Sequence, residues 1–405
     1  MRLAVVSPFV DRHHGSERAL AELLERLAWD YGCEIHLYSQ RVEDLILGLC
    51  SDHGGTQGRI IWHKVPSIRG PHFFQFLFWL FLNAHARRRD HSTHGLNFDL
   101  VLSPGINCFD ADVVLVHALF HRLRELARDE ASPRTVSGLF RSLHRRAYYS
   151  FLTWLERRIY RNSQVSLAAV SSRTASLLNR YFSREDIRVI PNGVDASRFS
   201  PAQRLALRAG ARSRFKFQDA DFVLLLIGND WRNKGLPAIL EAMAALRDLP
   251  LRLLIAGQDA AAPFFYETAK SLGLSDRCCW ETASVDAIQL YAAADVYVSP
   301  SREDAFALPP LEAMACGLPV ITSVNNGGSQ IITDGMDGFV LKDPRDVLTL
   351  IDRLKNLREN PNLRDRIGEN ARRKAEAYTW DRNAGAVWQF LNEVASKEEA
   401  GRSRS

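Results

Sequence analysis

Ser301-Arg-Glu-Asp-Ala-Phe-Ala-Leu-Pro-Pro-Leu-Glu-Ala-Met-Ala-Cys-Gly-Leu-Pro-Val320 is the stretch that decides the fold. It opens on an acidic loop at Glu303 and Asp304, passes a proline pair suited to the first turn of a helix, carries Glu312 along that helix, and stops at Gly317. A fresh apolar strand follows at Pro319–Thr322, and another, Val296–Ser299, precedes the loop. Strand, loop, helix and strand at this spacing form the repeating unit of a parallel sheet. Bare loop amides before a helix N-terminus favour an anionic or hydroxyl-rich ligand, and a carboxylate one turn in can accept bonds from paired ribose hydroxyls. The competing reading of Glu312 is a solvated helix residue.

The alternation continues on both sides. After the turn-rich Pro191-Asn-Gly-Val-Asp195, strands are expected at Phe222–Gly228, Leu251–Ala256, Cys278–Glu281 and Gly338–Leu341. Helices are expected between them at Leu236–Leu246, Ala262–Leu272, Asp286–Ala293 and Pro309–Cys316. Upstream, Leu3–Ser7, a loop with Gly15 and a helical Glu17–Trp29 begin a second such series, with further strands at Glu34–Tyr38, Ile60–Val65, Leu100–Ser103, Val113–His117, Val165–Val170 and Arg188–Ile190. The expectation is an α/β chain with domains at 1–190 and 191–377, whose facing sheets leave a cleft lined by strand ends and helix N-termini. Residues 396–405, rich in Glu, Lys, Arg and Ser, read as a flexible tail.

Composition agrees with a large folded chain: 405 residues, 46% hydrophobic and 24% charged. The longest near-apolar run, Phe73–Leu82, is about half the length needed to cross a bilayer. The N-terminus turns polar at Asp11-Arg-His-His14 with no apolar signal core, so a cytoplasmic location is expected. No C-x-x-C pair occurs, which argues against a zinc site or a disulfide framework. Residues 1–190 hold 25 Lys and Arg against 19 Asp and Glu, and the remainder holds 27 against 28. The basic half suits an anionic surface, either membrane lipid or nucleic acid. Nucleic acid is set aside because no helix-turn-helix, zinc or RNA-binding aromatic motif is present. Two stretches, His72–Asp90 and Leu139–Arg161, mix aromatic residues with arginines. Each fits a helix at an anionic interface or one buried on the sheet with its arginines in water; for 73–82 the buried reading is preferred.

The run from Asp304 to Glu312, continued through Leu308-Pro-Pro-Leu-Glu-Ala-Met-Ala-Cys-Gly-Leu-Pro-Val-Ile321, Gly327-Gly328 and Asp334-Gly-Met-Asp-Gly338, resembles the retaining GT-B glycosyltransferases of family 4. In that family a loop acid and a helix glutamate are separated by seven residues. Val170-Ser-Ser172 with Ile190–Asp195 looks like the inter-domain segment, and Gly228-Asn-Asp-Trp-Arg-Asn-Lys-Gly235 like the phosphate-binding turn, similar to the form in lipopolysaccharide-core glucosyltransferases. The resemblance implies a GT-B fold of two Rossmann-like parallel-sheet domains and a terminal crossover helix, 378–395, returning to the first domain.

For the site, the resemblance implies that Lys234 meets the donor diphosphate, Asp304 the sugar, Glu312 the ribose, and residues near Ser284 and Val285 the base. Ala307 and Leu308 are implied donor contacts, as is Gly15 in the remnant of a glycine-rich loop. His117 at a strand end is expected beside the donor sugar, with His121 a lesser neighbour. Family members often carry an arginine where this chain has Asn229, so Arg198 and Arg232 are the candidates for a second cation. Ala307 stands where the family usually has glycine, and Asp304 is shorter than the usual glutamate.

The implied reaction is retaining transfer from a nucleotide-sugar, expected to be UDP- or GDP-linked, which is a substrate, so that no cofactor and no metal are expected. Asp110-Ala-Asp112 precedes its strand and is read as solvent-facing. The implied acceptor is a glycan or lipid-linked molecule of cell-envelope polysaccharide synthesis, reached from the cytoplasm or the inner face of the membrane, with an anionic membrane surface as a further partner. The alternative is a non-catalytic nucleotide-sugar-binding module.

Overall fold

The structure, a computed structural model, describes residues 1–49, 58–128, 136–282 and 286–402. The chain divides into two compact units, Met1–Pro191 with Asp381–Ser405, and Asn192–Trp380.

The first unit runs β1 (Arg2–Val6), β2 (Phe9–Val10), α1 (Gly15–Trp29), β3 (Glu34–Ser39), β4 (Arg41–Val42), β5 (Gly48–Leu49), β6 (Arg59–Lys64), α2 (His72–His94), β7 (Leu100–Pro104), β8 (Val113–Val116), α3 (Phe120–Arg128), α4 (Val136–Tyr160), β9 (Ser166–Ala169), α5 (Ser172–Phe182) and β10 (Ile187–Val189). Its eight-stranded sheet has the order β10-β9-β8-β7-β1-β3-β6-β5 and is parallel except for the edge strand β5. Alternate residues of β1 divide between the two faces, as the two-residue period of a strand requires. Leu3 and Val5 pack with α1, while Ala4 and Val6 pack with Trp79 and Leu80 of α2 and Leu152, Leu155 and Ile159 of α4.

The last helix, Trp380–Arg402, also belongs to this unit. Ala384, Val387, Phe390, Leu391 and Val394 join the α1 core, Trp388 lies against Tyr31, and Asp381 pairs with Arg26 at 2.7 Å. Helix continues through 396–402, where the composition alone suggests a flexible tail. The buried placement expected for 73–82 is also corrected. Trp79 and Leu80 face the core, but Phe74, Phe78 and Phe81 stand in solvent, Phe81 with 73% of its surface exposed. A run apolar all round has more rings than one sheet face can cover.

The second unit runs α6 (Pro201–Arg214), β11 (Phe222–Ile227), α7 (Leu236–Ala245), β12 (Leu251–Ala256), α8 (Ala262–Ser271), β13 (Cys278–Glu281), α9 (Ala287–Ala293), β14 (Val296–Ser299), α10 (Leu308–Ala315), β15 (Val320–Ser323), β16 (Phe339–Leu341), α11 (Val347–Glu359) and α12 (Pro361–Ala375), so that the last helix of the chain is α13. Six parallel strands lie in the order β13-β12-β11-β14-β15-β16. The order reverses between β11 and β14, and ligands of open parallel sheets bind beyond the strand ends at such a switch point. Local signals start the helices: Ser200 accepts the Gln203 N–H ahead of Pro201, and Asp346 accepts that of Thr349.

Candidate functional site

At the switch point of the second unit, β11 gives way to a turn that only glycine can open. Gly228 has φ 144°, and a Cβ there would stand 2.9 Å from Cε of Lys234, whose side chain lies across it. The turn closes where the Lys234 N–H donates to the Asp230 carbonyl at 3.0 Å, and Gly235 at φ 88° caps α7. Lys234 is thereby held at the strand end with its ammonium ion-paired to Asp304 in the loop after β14. Both partners are mostly shielded from solvent.

Asp304 is fixed from three sides. Its second carboxylate oxygen accepts the Phe306 N–H at 3.1 Å, its own N–H donates to the Asn325 carbonyl at 3.0 Å, and its carbonyl accepts the Gly327 N–H at 2.8 Å. Asn233, beside Lys234, braces the same loop. Its Nδ2 donates to the Glu303 carbonyl at 2.8 Å, and its Oδ1 accepts the Glu303 N–H at 3.1 Å. Asn326 works from the other flank, its Oδ1 accepting the N–H groups of Gly328 at 2.9 Å and Ala307 at 3.4 Å. The two asparagines join the β11, β14 and β15 ends into one frame.

Ala307 and Leu308 begin α10 at this frame, and both are buried. Ala307 has φ −66°, so the loop does not need glycine for its conformation. Glu312, one turn into α10, is 3% exposed, which removes the solvated-helix reading. Tyr291 of α9 donates its hydroxyl to Glu312 Oε2 at 2.7 Å. Burial, with the nearby Glu312 charge, pushes the Tyr291 phenol well above its ordinary range, so the phenol is a donor at neutral pH.

The two candidate second cations each have a partner within the second unit. Arg198 pairs with Asp286 at 2.7 Å, while Arg232 lays its guanidinium over Phe264, 5.2 Å from the ring centre. Asn229 Oδ1 accepts the Gln258 N–H at 2.8 Å, linking the ends of β11 and β12. Ser284 and Val285 lie outside the described residues.

In the first unit, Gly15 begins α1 and His117 follows β8. No atom lies within 4 Å of a Cβ built on Gly15, and its φ is not positive, so the fold itself does not demand glycine there. Burial holds the His117 imidazole below its usual range, only partly offset by a hydrogen bond involving Leu115 and by the charge of Glu17. The ring is neutral at pH 7, and its buried Nδ1 has no hydrogen-bond partner among the described residues. His121 is taken up by the fold: its Nδ1 meets the buried Glu156 at 2.5 Å, and Glu156 also accepts the N–H groups of Phe120 and His121 at the start of α3.

The Asp110-Ala-Asp112 pair is not simply solvent-facing. Asp110 receives both terminal nitrogens of buried Arg87 at 2.7 Å, and Asp112 Oδ2 accepts the Val101 N–H at 2.7 Å. Of the residues that shape the site, Asn233, Asn326 and Tyr291 escape sequence reading. Asn233 sits within the quoted phosphate turn and Asn326 beside the quoted glycine pair, but Tyr291 carries no local signal at all.

Comparison with known proteins places this geometry in a family. The profile described as "Glycosyl transferases group 1" matches residues 209–374, and "Glycosyltransferase Family 4" matches 13–198. A D-inositol 3-phosphate glycosyltransferase of Salinispora arenicola is 29% identical over 246 residues, 57% of this chain and 55% of that protein. One of Pseudarthrobacter chlorophenolicus is 33% identical over 251 residues, 60% of this chain and 59% of that protein. In these matches the chain spans little more than half the length of the curated relatives. Among solved structures, WaaG, a glycosyltransferase involved in lipopolysaccharide biosynthesis, superposes with a TM-score of 0.75 at 20% identity, covering 96% of this chain and 99% of WaaG. HepE of Anabaena, in complex with UDP and glucose, gives 0.67 at 17% identity, covering 96% and 99%. The matched profiles and the two Rossmann-like units together establish that the chain belongs to the family 4, group 1 glycosyltransferases and has their GT-B fold.

Proposed function

We propose that the protein transfers a sugar from a nucleoside diphosphate sugar to a glycan or lipid-linked acceptor of cell-envelope polysaccharide synthesis, with retention of configuration and without a metal or cofactor. The observation that carries this reading is the Lys234–Asp304 pair beside the N-terminus of α10, a cation and a carboxylate side by side at the switch point. A diphosphate attracts the ammonium and the helix amides, and sugar hydroxyls donate to the carboxylate. The names of WaaG and of HepE with UDP and glucose support the envelope setting and a UDP-linked donor.

In the proposed step the bond from the anomeric carbon to the β-phosphate oxygen breaks while the acceptor oxygen bonds to that carbon on the same face. The acceptor proton passes to the departing phosphate. Lys234 stabilises the charge growing on that phosphate, a contribution of several kcal/mol for a preorganised donor. Glu312, oriented by Tyr291, accepts from the ribose, Asp304 holds the sugar, and His117 contributes a neutral ring nitrogen to the donor sugar. Nucleotide-sugars offered to the full-length protein test the reading through release of nucleoside diphosphate with and without a glycan acceptor. Saturable donor binding with no turnover for any donor and acceptor would leave the binding-module reading in its place.

A further inference from the structure

We propose that His14, held by Asp11 at the switch point of the first sheet, accepts a hydrogen bond from a hydroxyl of the glycan acceptor; this assignment rests on the proposed transfer reaction. The sheet order reverses between β1 and β7, and the loop from β1 into α1 lies at that strand end. Asp11 in this loop is 1% exposed. Its Oδ1 accepts the N–H groups of His13 at 2.8 Å and His14 at 2.9 Å, and both of its carboxylate oxygens lie 3.0 Å from His14 Nδ1. Burial opposes the charge on Asp11, but the hydrogen bonds from His14 and His13 outweigh it and hold the carboxyl below its usual range. An ionised carboxylate only accepts, so in the neutral ring Nδ1 carries the proton and Nε2 is a bare acceptor.

Neither packing nor capping accounts for this imidazole. His14 stands at the N-cap of α1, where Ser, Thr, Asp and Asn are favoured, yet its side chain makes no capping bond. With 54% of its side-chain surface exposed, it adds little to the core. The loop has other anchors: Arg12 pairs with Glu22 and Glu25 of α1 and donates to the Asp44 carbonyl at 2.9 Å. What remains is a ring fixed in one tautomer by a buried carboxylate, with its far nitrogen turned away from that carboxylate. This is how a histidine is oriented for a ligand.

The same strand ends carry a platform. Phe9 of β2 is exposed and pairs in register with Arg41 of β4, whose guanidinium lies 5.4 Å from the ring centre and 3.9 Å from Asp11. Phe9, Arg41, Asp11 and His14 are thus one connected group. A pyranose offers an apolar C–H face to an aromatic ring and hydroxyl donors at its edge to a bare nitrogen. A phosphate is the poorer match, since the Nε2 lone pair and the Asp11 charge behind it repel an anion. In the proposed step Lys234, Asp304, Glu312 and His117 are all assigned to the donor, and the acceptor is the group left without a protein partner.

The test is steady-state kinetics of the full chain with UDP-glucose or GDP-mannose as donor and oligosaccharides released from an envelope polysaccharide as acceptors. His14→Ala should raise the acceptor KM about five- to tenfold, the loss of one hydrogen bond to the ligand, with the donor KM within about twofold of wild type. His14→Gln places an amide oxygen near the position of Nε2 and should hold the acceptor KM within about threefold of wild type. Asp11 is a positioning residue. Asp11→Asn turns an amide donor to the ring and reverses its tautomer, so it should raise the acceptor KM as much as His14→Ala and add nothing in the His14→Gln background. The exposed His14 variants preserve the fold if Asp11→Asn does not. An unchanged acceptor KM in His14→Ala, a rise in the donor KM instead, or no recovery in His14→Gln would overturn the assignment. Wild-type turnover tells the two failures apart: none with any pair overturns the transfer reading and this assignment with it, whereas turnover insensitive to His14 overturns this assignment alone.

Discussion

Lys234 and Asp304 neutralise each other across two loops of the second unit, seventy positions apart in sequence and in direct contact in space. A ligand diphosphate competes with Asp304 for the ammonium, so the two residues should respond differently to substitution. Lys234→Ala removes the ammonium proposed to meet the leaving phosphate and should lower turnover by about 100- to 1,000-fold. Asp304→Asn frees the lysine, so nucleoside diphosphate should bind at least as tightly as to wild type while transfer falls. Calorimetric titration with the diphosphate and initial rates check both halves. Weaker diphosphate binding in Asp304→Asn would show that the pair is a structural brace.

Tyr291 and Glu312 give a second separation. Tyr291→Phe leaves a buried carboxylate short of a hydrogen bond and should cost about 2 kcal/mol in chemical denaturation, with a raised KM for the donor. Glu312→Gln retains an acceptor for the phenol, so it should cost less stability and raise the donor KM further. A Tyr291→Phe protein with wild-type KM would remove Tyr291 from the site's framework.

Backbone conformation distinguishes the two sides of this frame. Ala307→Gly should not rescue activity, since Ala307 already sits at φ −66°; it should instead lose about 0.4–1 kcal/mol through a more flexible unfolded chain. Gly235→Ala should do far more harm, because φ is 88° and the new Cβ would lie 2.5 Å from both Pro300 Cγ and the Pro300 carbonyl oxygen. Urea midpoints of the two variants rank these effects.

How legible the molecule is in its sequence follows from the range of the forces involved. The strands from β1 to β16 that form the sheet centres, and the helices between them, are written in local periodicity, so 222–228, 296–299 and 309–316 are readable from neighbours alone. The loop acid, the helix glutamate and the lysine turn are also local, being carried by short motifs. Tyr291 is not, because its relation to Glu312 exists only after α9 and α10 pack. The exposed Phe74, Phe78 and Phe81 fail for the converse reason: an apolar run specifies burial in general but not how much sheet is available to cover it. The same limit applies to Arg198 and Arg232, whose partners, Asp286 and Phe264, are settled by tertiary packing.

Stability of the first unit should depend on pH through a chain of buried and half-buried side chains at one sheet edge. Glu34 meets His36 at 2.9 Å, His36 meets His63 at 2.8 Å, and His63 meets Asp90 at 2.8 Å, with the Tyr38 hydroxyl donating to Asp90 at 3.0 Å. Burial lowers both imidazoles, and the arginines nearby add to it, against the pull of Glu34 and Asp90 in the other direction. Each histidine therefore binds its proton more readily unfolded than folded. Their contribution is fully present above the unfolded value near 6.5 and is lost as pH falls through the folded values. Asp112 runs the opposite way: burial, with Glu398 nearby, raises it to about 6 from 3.8, so it penalises folding above pH 6 and the penalty fades as pH falls towards 4. Hydrogen exchange of β3 and β6 should accordingly quicken between pH 7 and 5 after correction for intrinsic rates, and less so in His63→Gln. Asp112→Asn should slow exchange at pH 8 and lose most of that advantage only near pH 4. Equal pH dependence in wild type and His63→Gln would exclude the histidine chain as its source.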